Sequence, residues 1–147
     1  MSVIGNRYSV FSIRYSVKNG NIMEYVNSFR DLEVYKLARE VSREIFVLSK
    51  GFPKEETYSL NDQIRRSSRS VGAQIAEAWG KRRYEMHFIS KLTDADAEQL
   101  ETQHWLEVSY ECHYIDKSTA EQIMKKCESI GKMLQSMIEK SSTFCKK

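Results

Sequence analysis

The stretch STAEQIMKKCESIGKMLQSM, residues 118–137, has the clearest helical pattern of the chain. Its apolar side chains recur at alternating steps of three and four residues, at Ala120, Ile123, Cys127, Ile130, Leu134 and Met137. This spacing places all six on one stripe of an α-helix, as at the a and d positions of a bundle. Ser118, followed three residues later by Glu121, has the pattern of a capping box. The stretch therefore predicts one long helix that begins near Ser118 and packs along a continuous seam.

Three more stripes of helical spacing precede this one. They run from Phe29 to about residue 50, from Leu60 to Gly80 and from Phe88 to Tyr110. Their apolar positions are Leu32, Tyr35, Ala38, Val41, Ile45 and Leu48 in the first, Leu60, Ile64, Val71, Ile75 and Trp79 in the second, and Phe88, Leu92, Ala95, Leu100, Leu106 and Tyr110 in the third. The sequence therefore predicts an all-α protein with four helices.

The connections between these helices are short. Gly51-Phe52-Pro53 combines a glycine that ends a helix with a proline that starts the next one. The other two turns are Lys81–Arg83 and His113–Lys117. Because such turns cannot span the length of a bundle, neighbouring helices must be antiparallel. The predicted fold is an up-down-up-down four-helix bundle with a left-handed twist.

Residues 1–27 lie outside the helical pattern. Between Phe11 and Val17 apolar and polar residues alternate, which is typical of a strand. We find no second strand candidate to pair with it, and a lone extended segment is not stable. We therefore interpret residues 1–27 as a flexible extension, 28–142 as the bundle and 143–147 as a C-terminal tail. A translation start at Met23 is an open alternative that would remove most of the extension.

The composition excludes several classes of protein. With 41% hydrophobic and 29% charged residues the chain is typical of a globular domain, not of a disordered one. No apolar run approaches the about 20 residues that span a bilayer, and no secretory signal pattern is present. The three cysteines form no CxxC motif and are expected to be reduced thiols. We expect a cytoplasmic protein without a cofactor and without membrane association.

Catalytic and metal-binding patterns are incomplete. Glu101 and His104 have the Glu-x-x-His spacing of di-iron bundles, but such a site needs the motif twice. The residues three positions before His87 and His113 are tyrosines, not acids. No nucleophile motif or phosphate-binding glycine loop occurs, and Trp79 has the spacing of a core residue. The sequence therefore predicts neither a metal site nor an enzyme.

Positive charge is concentrated in and after the second helix. Residues 62–83 contain only two acids, Asp62 and Glu77. The six cations of this segment are Arg65, Arg66, Arg69, Lys81, Arg82 and Arg83. They are either a surface that contacts the phosphates of RNA or DNA, or a solvated face that pairs with acids such as Glu98, Glu101 and Glu107 of a neighbouring subunit. We name these six residues as the candidate nucleic-acid-binding site, and the sequence leaves both interpretations open.

Several motifs together resemble a known family. In chain order they are FRDLEVY (29–35), FPKEETYSL (52–60), QIRRS (63–67), IAE (75–77), EQLETQ (98–103) and IGKML (130–134). They are similar to those of the four-helix bundle proteins encoded in 23S rRNA intervening sequences. The resemblance covers residues 28–138, which is nearly the whole helical part, and residues 1–27 lie outside it.

The resemblance implies an assembly and a set of partners. It implies an up-down-up-down bundle that assembles as a homopentamer, and it brings no catalytic residues. It also implies kinship with the accessory variability protein of diversity-generating retroelements, which binds nucleic acid and a reverse transcriptase. The chain departs from the family at residues 71–74, where Val-Gly-Ala-Gln replaces a run of isoleucine, proline, a small residue and asparagine. We therefore transfer no role of that asparagine to Gln74. The alternative function is a homo-oligomeric scaffold that binds proteins and not nucleic acid.

Overall fold

A computed structural model of the chain describes residues 14–16 and 23–145. Its main elements are four helices, α1 (Glu33–Ser49), α2 (Leu60–Gly80), α3 (Glu85–Glu111) and α4 (Lys117–Glu139). Both α1 and α3 pack against α2 and α4, so α1 and α3 lie diagonally across the bundle. Successive helices run antiparallel, which confirms the predicted all-α, up-down-up-down bundle. None of the described helices is long and apolar enough to cross a membrane.

The first helix begins later than the sequence predicts. Phe29–Asp31 form a separate turn of 3-10 helix, in which the Asp31 carboxylate accepts hydrogen bonds from the backbone N–H groups of Asn27 (3.2 Å) and Ser28 (3.1 Å). Leu32 then adopts an extended conformation (ψ 128°), which interrupts the helix. As a result α1 has 17 residues and starts at Glu33.

The fourth helix is capped by a different residue from the one predicted. Asp116 is its N-cap, and the Asp116 Oδ1 accepts a hydrogen bond of 2.7 Å from the backbone N–H of Thr119. Ser118 lies inside the first turn, where its hydroxyl accepts from the side chain of Gln122 (3.2 Å). The predicted capping box at Ser118 is therefore wrong. Asp116, two residues earlier, instead accepts from a backbone N–H of the first turn, which has no partner within the helix.

The connection between α1 and α2 occupies residues 50–59, longer than the predicted turn. It contains a 3-10 turn, Lys54–Glu56, and the Glu56 carboxylate accepts from the backbone N–H of Leu60 (3.2 Å) at the start of α2. Its other oxygen accepts from the Tyr114 hydroxyl (3.0 Å), and this hydrogen bond raises the pKa of Tyr114 to about 12. Glu56 thus joins the α1–α2 connection to the α3–α4 turn at one end of the bundle.

The core follows the predicted stripes except on α3. Leu100 (55% exposed) and Tyr110 (43% exposed) face outward, so their predicted place on the buried stripe is wrong. The buried positions of α3 are Phe88, Leu92, Ala95, Gln99, Thr102, Leu106 and Ser109. Three of these, Gln99, Thr102 and Ser109, are polar, so a search for apolar spacing did not identify them as buried. Thr102 compensates for its burial by a hydrogen bond of 2.9 Å to the Ser67 hydroxyl on α2.

Before the bundle, the structure describes two short strands. Strand β1 (Arg14–Ser16) pairs antiparallel with β2 (Met23–Tyr25), with Arg14 opposite Tyr25. The prediction that no second strand exists is therefore wrong; a partner of three residues is too short to give a recognisable alternation. The flexible extension predicted for residues 1–27 falls largely on residues 1–13 and 17–22, which lie outside the described residues.

A short helix closes the bundle after α4. Helix α5 (Ser141–Phe144) turns the chain back so that Phe144 is fully buried. Its ring stacks on Phe88 of α3 with the ring centroids 5.8 Å apart. The Ser141 hydroxyl donates to the Glu85 carboxylate (2.6 Å) at the start of α3. Residues 141–144 are therefore packed against the bundle, although residue 143 opens the segment that the sequence analysis assigns to a tail.

Candidate nucleic-acid interface

A groove runs between the outer faces of α1 and α2. Helix α1 contributes Tyr35, Arg39, Ser42, Arg43 and Phe46 to its walls. Helix α2 contributes Arg69 and the small residues Gly72, Ala73 and Ala76, and Phe29 adds a further ring. The volume of this α1–α2 groove is about 480 Å³, and no carboxylate of the described residues lines it.

The three arginines of the groove have no acidic partner. Arg39 donates a hydrogen bond of 3.1 Å to the Tyr35 hydroxyl, and the Arg69 guanidinium lies 5.4 Å from the centre of the Phe46 ring. Neither these two nor Arg43 forms an ion pair within residues 14–16 and 23–145. Their positive charge is consequently directed at the solvent in the groove.

Three acids of the two helices bind lysines of α4 and α3. On α1, Glu40 and Glu44 both bind the Lys126 ammonium of α4, at 2.7 and 2.6 Å, and these hydrogen bonds raise the pKa of Lys126. On α2, Glu77 binds Lys91 of α3 at 2.8 Å, which raises the pKa of Lys91. The acids thus face α4 and α3, and the arginines are left with the groove.

One exposed ring lies at the centre of a group of cations. Phe46 is 36% exposed, and Lys50 (4.7 Å), Arg65 (4.9 Å) and Arg69 (5.4 Å) each approach its ring centre. Arg65 is further held by a hydrogen bond of 2.7 Å from its Nε to the Ser49 hydroxyl. The cations are therefore fixed in place by aromatic and hydrogen-bonding contacts and not by opposite charge.

The structure divides the six cations that the sequence singled out. Arg65 and Arg69 meet at Phe46, while the neighbouring Arg66 is exposed beside them. The segment Lys81–Arg83 follows the C-terminal end of α2, about 24 Å from Arg65 and about 18 Å from Arg69 at 1.5 Å per residue. There the Arg82 guanidinium stacks 3.5 Å from the Trp79 ring centre, and burial lowers the pKa of Arg82. The predicted site is thus two basic clusters, one in the first half of α2 and one after its C-terminal end.

Sequence reasoning missed Arg39 and Arg43 on the first helix. A signal was present, because Tyr35, Arg39, Arg43 and Phe46 follow one another at steps of four, four and three residues. Such steps place the four on one helical face. The sequence analysis assigned Tyr35 to the core stripe alone and did not extend the pattern. Because α1 has as many acids as cations, its net charge does not reveal that positive charge is concentrated on this face.

The incomplete Glu-x-x-His motif lies on α3, away from the groove. The Glu101 carboxylate accepts a hydrogen bond of 3.1 Å from the Trp105 indole, and the His104 ring packs against the Trp105 ring with their centres 4.6 Å apart. Within the described ranges, no three histidine, cysteine, aspartate or glutamate side chains are grouped to hold a metal ion. Glu101 and His104 therefore have local partners and no metal-binding arrangement.

Comparison with known proteins identifies relatives in one family. The family model described as 23S rRNA-intervening sequence protein matches residues 30–136. One solved structure that the chain resembles is a protein of unknown function from the S23 ribosomal protein family of Bacteroides thetaiotaomicron. It is 34% identical, with a TM-score of 0.66 over 72% of this chain and 95% of that one. No curated protein matches significantly.

Proposed function

The chain belongs to the 23S rRNA-intervening sequence protein family, and on that premise we propose that it is a non-catalytic accessory protein that binds RNA or DNA through the phosphate backbone. The surface we assign to this role consists of the α1–α2 groove with the neighbouring Arg65 and Arg66. The cluster Lys81–Arg83 is a second contact region at the far end of α2. Backbone contacts of this kind position a protein on nucleic acid without reading its sequence.

The observation that carries this proposal is the separation of charge on α1. Arg39 and Arg43 line the groove beside α2, whereas Glu40 and Glu44, the acids next to them in sequence, bind Lys126 of α4. A surface whose cations only solubilise the protein does not need this separation. A surface that receives phosphates does, because each carboxylate in the groove would repel them.

Titration of labelled structured RNA from low to physiological salt tests the proposal. Each neutralised phosphate releases counterions, so the logarithm of the affinity should fall linearly with the logarithm of the salt concentration. Four contacts would give a slope of about −3 to −4. Absence of binding at low salt, or an affinity indifferent to salt, would refute the nucleic-acid role.

A second candidate function is a homo-oligomeric scaffold, and a separate observation favours it. Helix α3 carries a second stripe that faces outward, at Met86, Ser90, Thr93, Ala97, Leu100 and His104. Its steps of four and three residues are those of a helix seam, and Met86 (73%) and Leu100 (55%) are largely exposed. We assign this face to contact with a second copy of the chain, in a ring for which the family resemblance implies five subunits.

Light scattering of the wild type and of Leu100→Lys tests the assembly. Leu100 is exposed, so a lysine there leaves the bundle folded but places a charge in the proposed contact. We expect an oligomer for the wild type and a monomer for the variant. Gln122→Lys, at an exposed position of α4, is the control and should stay oligomeric. A monomeric wild type would contradict assembly.

Pull-down from lysate with and without nuclease then separates nucleic-acid partners from protein partners, including a reverse transcriptase.

A further inference from the structure

We infer that the α1–α2 groove accepts an unpaired segment of nucleic acid, with bases stacked on its aromatic rings and phosphates bound by its arginines. The inference rests on the proposed nucleic-acid function and makes it specific for single strands. Three features of the groove support it: the order of its side chains, the space between the helices and the lack of acids among the described residues that line it.

Aromatic rings and arginines follow one another along the groove. Tyr35 and Phe46 lie eleven residues apart on α1, or about 16 Å. Arg39 and Arg43 occupy the turns between them on the same face, and Arg69 faces them from α2. Proteins that bind single strands combine cations that follow the backbone with rings that stack on bases, and arginine planes serve the same purpose.

The groove has room for a base because α2 has small side chains there. Exposed Ala73 and half-buried Ala76 form the open part of this wall, while Gly72 is buried beneath the Tyr35 ring, which an added methyl group would meet at 3.6 Å. The volume of about 480 Å³ falls within the range of about 300–1,000 Å³ that is typical of pockets for small ligands. The small side chains of α2 therefore leave space at the point where a base would enter the groove.

A duplex would use little of this arrangement. Its bases are stacked inside the helix, so a protein reaches phosphates and groove edges but not the base faces. Tyr35 and Phe46 would then gain no base to stack on and would keep only their contacts within the protein, such as that of Tyr35 with Phe29. An unpaired strand offers both chemical groups at once, the phosphate to the arginines and the base to the rings.

Two probes with the same phosphates separate base stacking from charge. The first is a labelled oligothymidylate, and the second is an abasic deoxyribose strand of the same length. We expect the wild type to bind the abasic strand about tenfold more weakly, since only oligothymidylate offers bases that can stack on the aromatic rings. Phe46→Leu should lose about tenfold more affinity for oligothymidylate than for the abasic strand, because the loss of the cation contacts at Phe46 affects both probes alike.

The matched control is Tyr110→Leu, which removes a partly exposed ring from α3 on the diagonal helix. It should bind both probes as the wild type does, and thermal melting verifies that both variants are folded. Equal binding of the two probes by the wild type, with Phe46→Leu unchanged, would overturn the inference and leave the proposed function intact. Failure to bind either probe or structured RNA would refute the proposed function as well.

Discussion

At the scale of single residues, a close contact between α3 and α4 depends on Gly131. A methyl group at this position of α4 would lie 2.8 Å from the Gln99 amide nitrogen and 3.3 Å from the Asp96 carboxylate on α3. The Gln99 side chain is buried and cannot swing away freely, because it donates to Asp96 (2.8 Å) and accepts from Gln103 (2.6 Å). Gly131 therefore permits a polar network to lie between two closely packed helices.

We predict that Gly131→Ala destabilises the protein by about 1 kcal/mol. Displacing Gln99 loses about 1–3 kcal/mol of buried hydrogen bonding, against about 1 kcal/mol gained in helix propensity. Gly72→Ala is the matched control, because its methyl group would meet Tyr35 at an ordinary 3.6 Å. It should stabilise by up to about 1 kcal/mol. Urea denaturation measures both, and equal effects of the two substitutions would contradict the close contact at Gly131.

At the scale of elements, helix ends were less predictable than helix stripes. The apolar spacing of α4 identified its whole buried face, since Ala120, Ile123, Cys127, Ile130, Leu134 and Met137 are all buried. Its first residue was misplaced because Asp116 and Ser118 are both good capping residues, and sequence alone does not say which one adopts the extended cap conformation. For α1, the turn at Phe29–Asp31 has a capping signal of its own, which the stripe obscured.

The start of α4 provides a prediction with a defined pH dependence. The hydrogen bond from the Thr119 backbone lowers the pKa of Asp116 below its ordinary 3.8. The carboxylate therefore contributes its full stability above about pH 3.8 and loses it as pH falls through the lowered pKa. Asp116→Ala should reduce the free energy of unfolding at neutral pH, and this difference from the wild type should shrink in acid.

Ser118→Ala is the control for this prediction, since the Ser118 hydroxyl contacts only the exposed side chain of Gln122 among the described residues. Thermal melting across pH compares the two variants. A larger loss for Ser118→Ala than for Asp116→Ala would restore the capping box that the sequence analysis proposed.

The short helix α5 provides a prediction about the end of the bundle. Phe144 is fully buried and stacks on Phe88, so Phe144→Ala should destabilise the protein by about 3–5 kcal/mol. Ser142 in the same helix is exposed, and Ser142→Ala should change stability by less than about 1 kcal/mol. Denaturant unfolding measures both. A small effect at Phe144 would mean that α5 contributes nothing to the core and that the segment is a tail, as its sequence alone suggests.

At the scale of the whole molecule, the fold was predictable and the candidate site only partly so. Four apolar stripes and short turns were sufficient for the bundle, because both are local in sequence. The groove depends on which helix lies on each side of α1, and this arrangement is long-range: Lys126, which binds Glu40 and Glu44, lies 86 and 82 residues further along the chain. The local spacing of Arg39 and Arg43 places them on one face but does not show that this face lies beside α2, so they were missed while Arg65 and Arg69 were identified.

The central claim is that the arginines of the α1–α2 groove, and not positive charge in general, bind nucleic acid. The most direct test compares two charge-matched double variants in RNA binding across salt. Arg43→Gln with Arg69→Gln removes two charges from the groove, and Lys125→Gln with Lys132→Gln removes two exposed charges from α4. We expect the groove variant to bind about tenfold more weakly, with a salt slope shallower by about two, and the α4 variant to bind as the wild type does. Equal losses in both variants, or no loss in either, would contradict the claim.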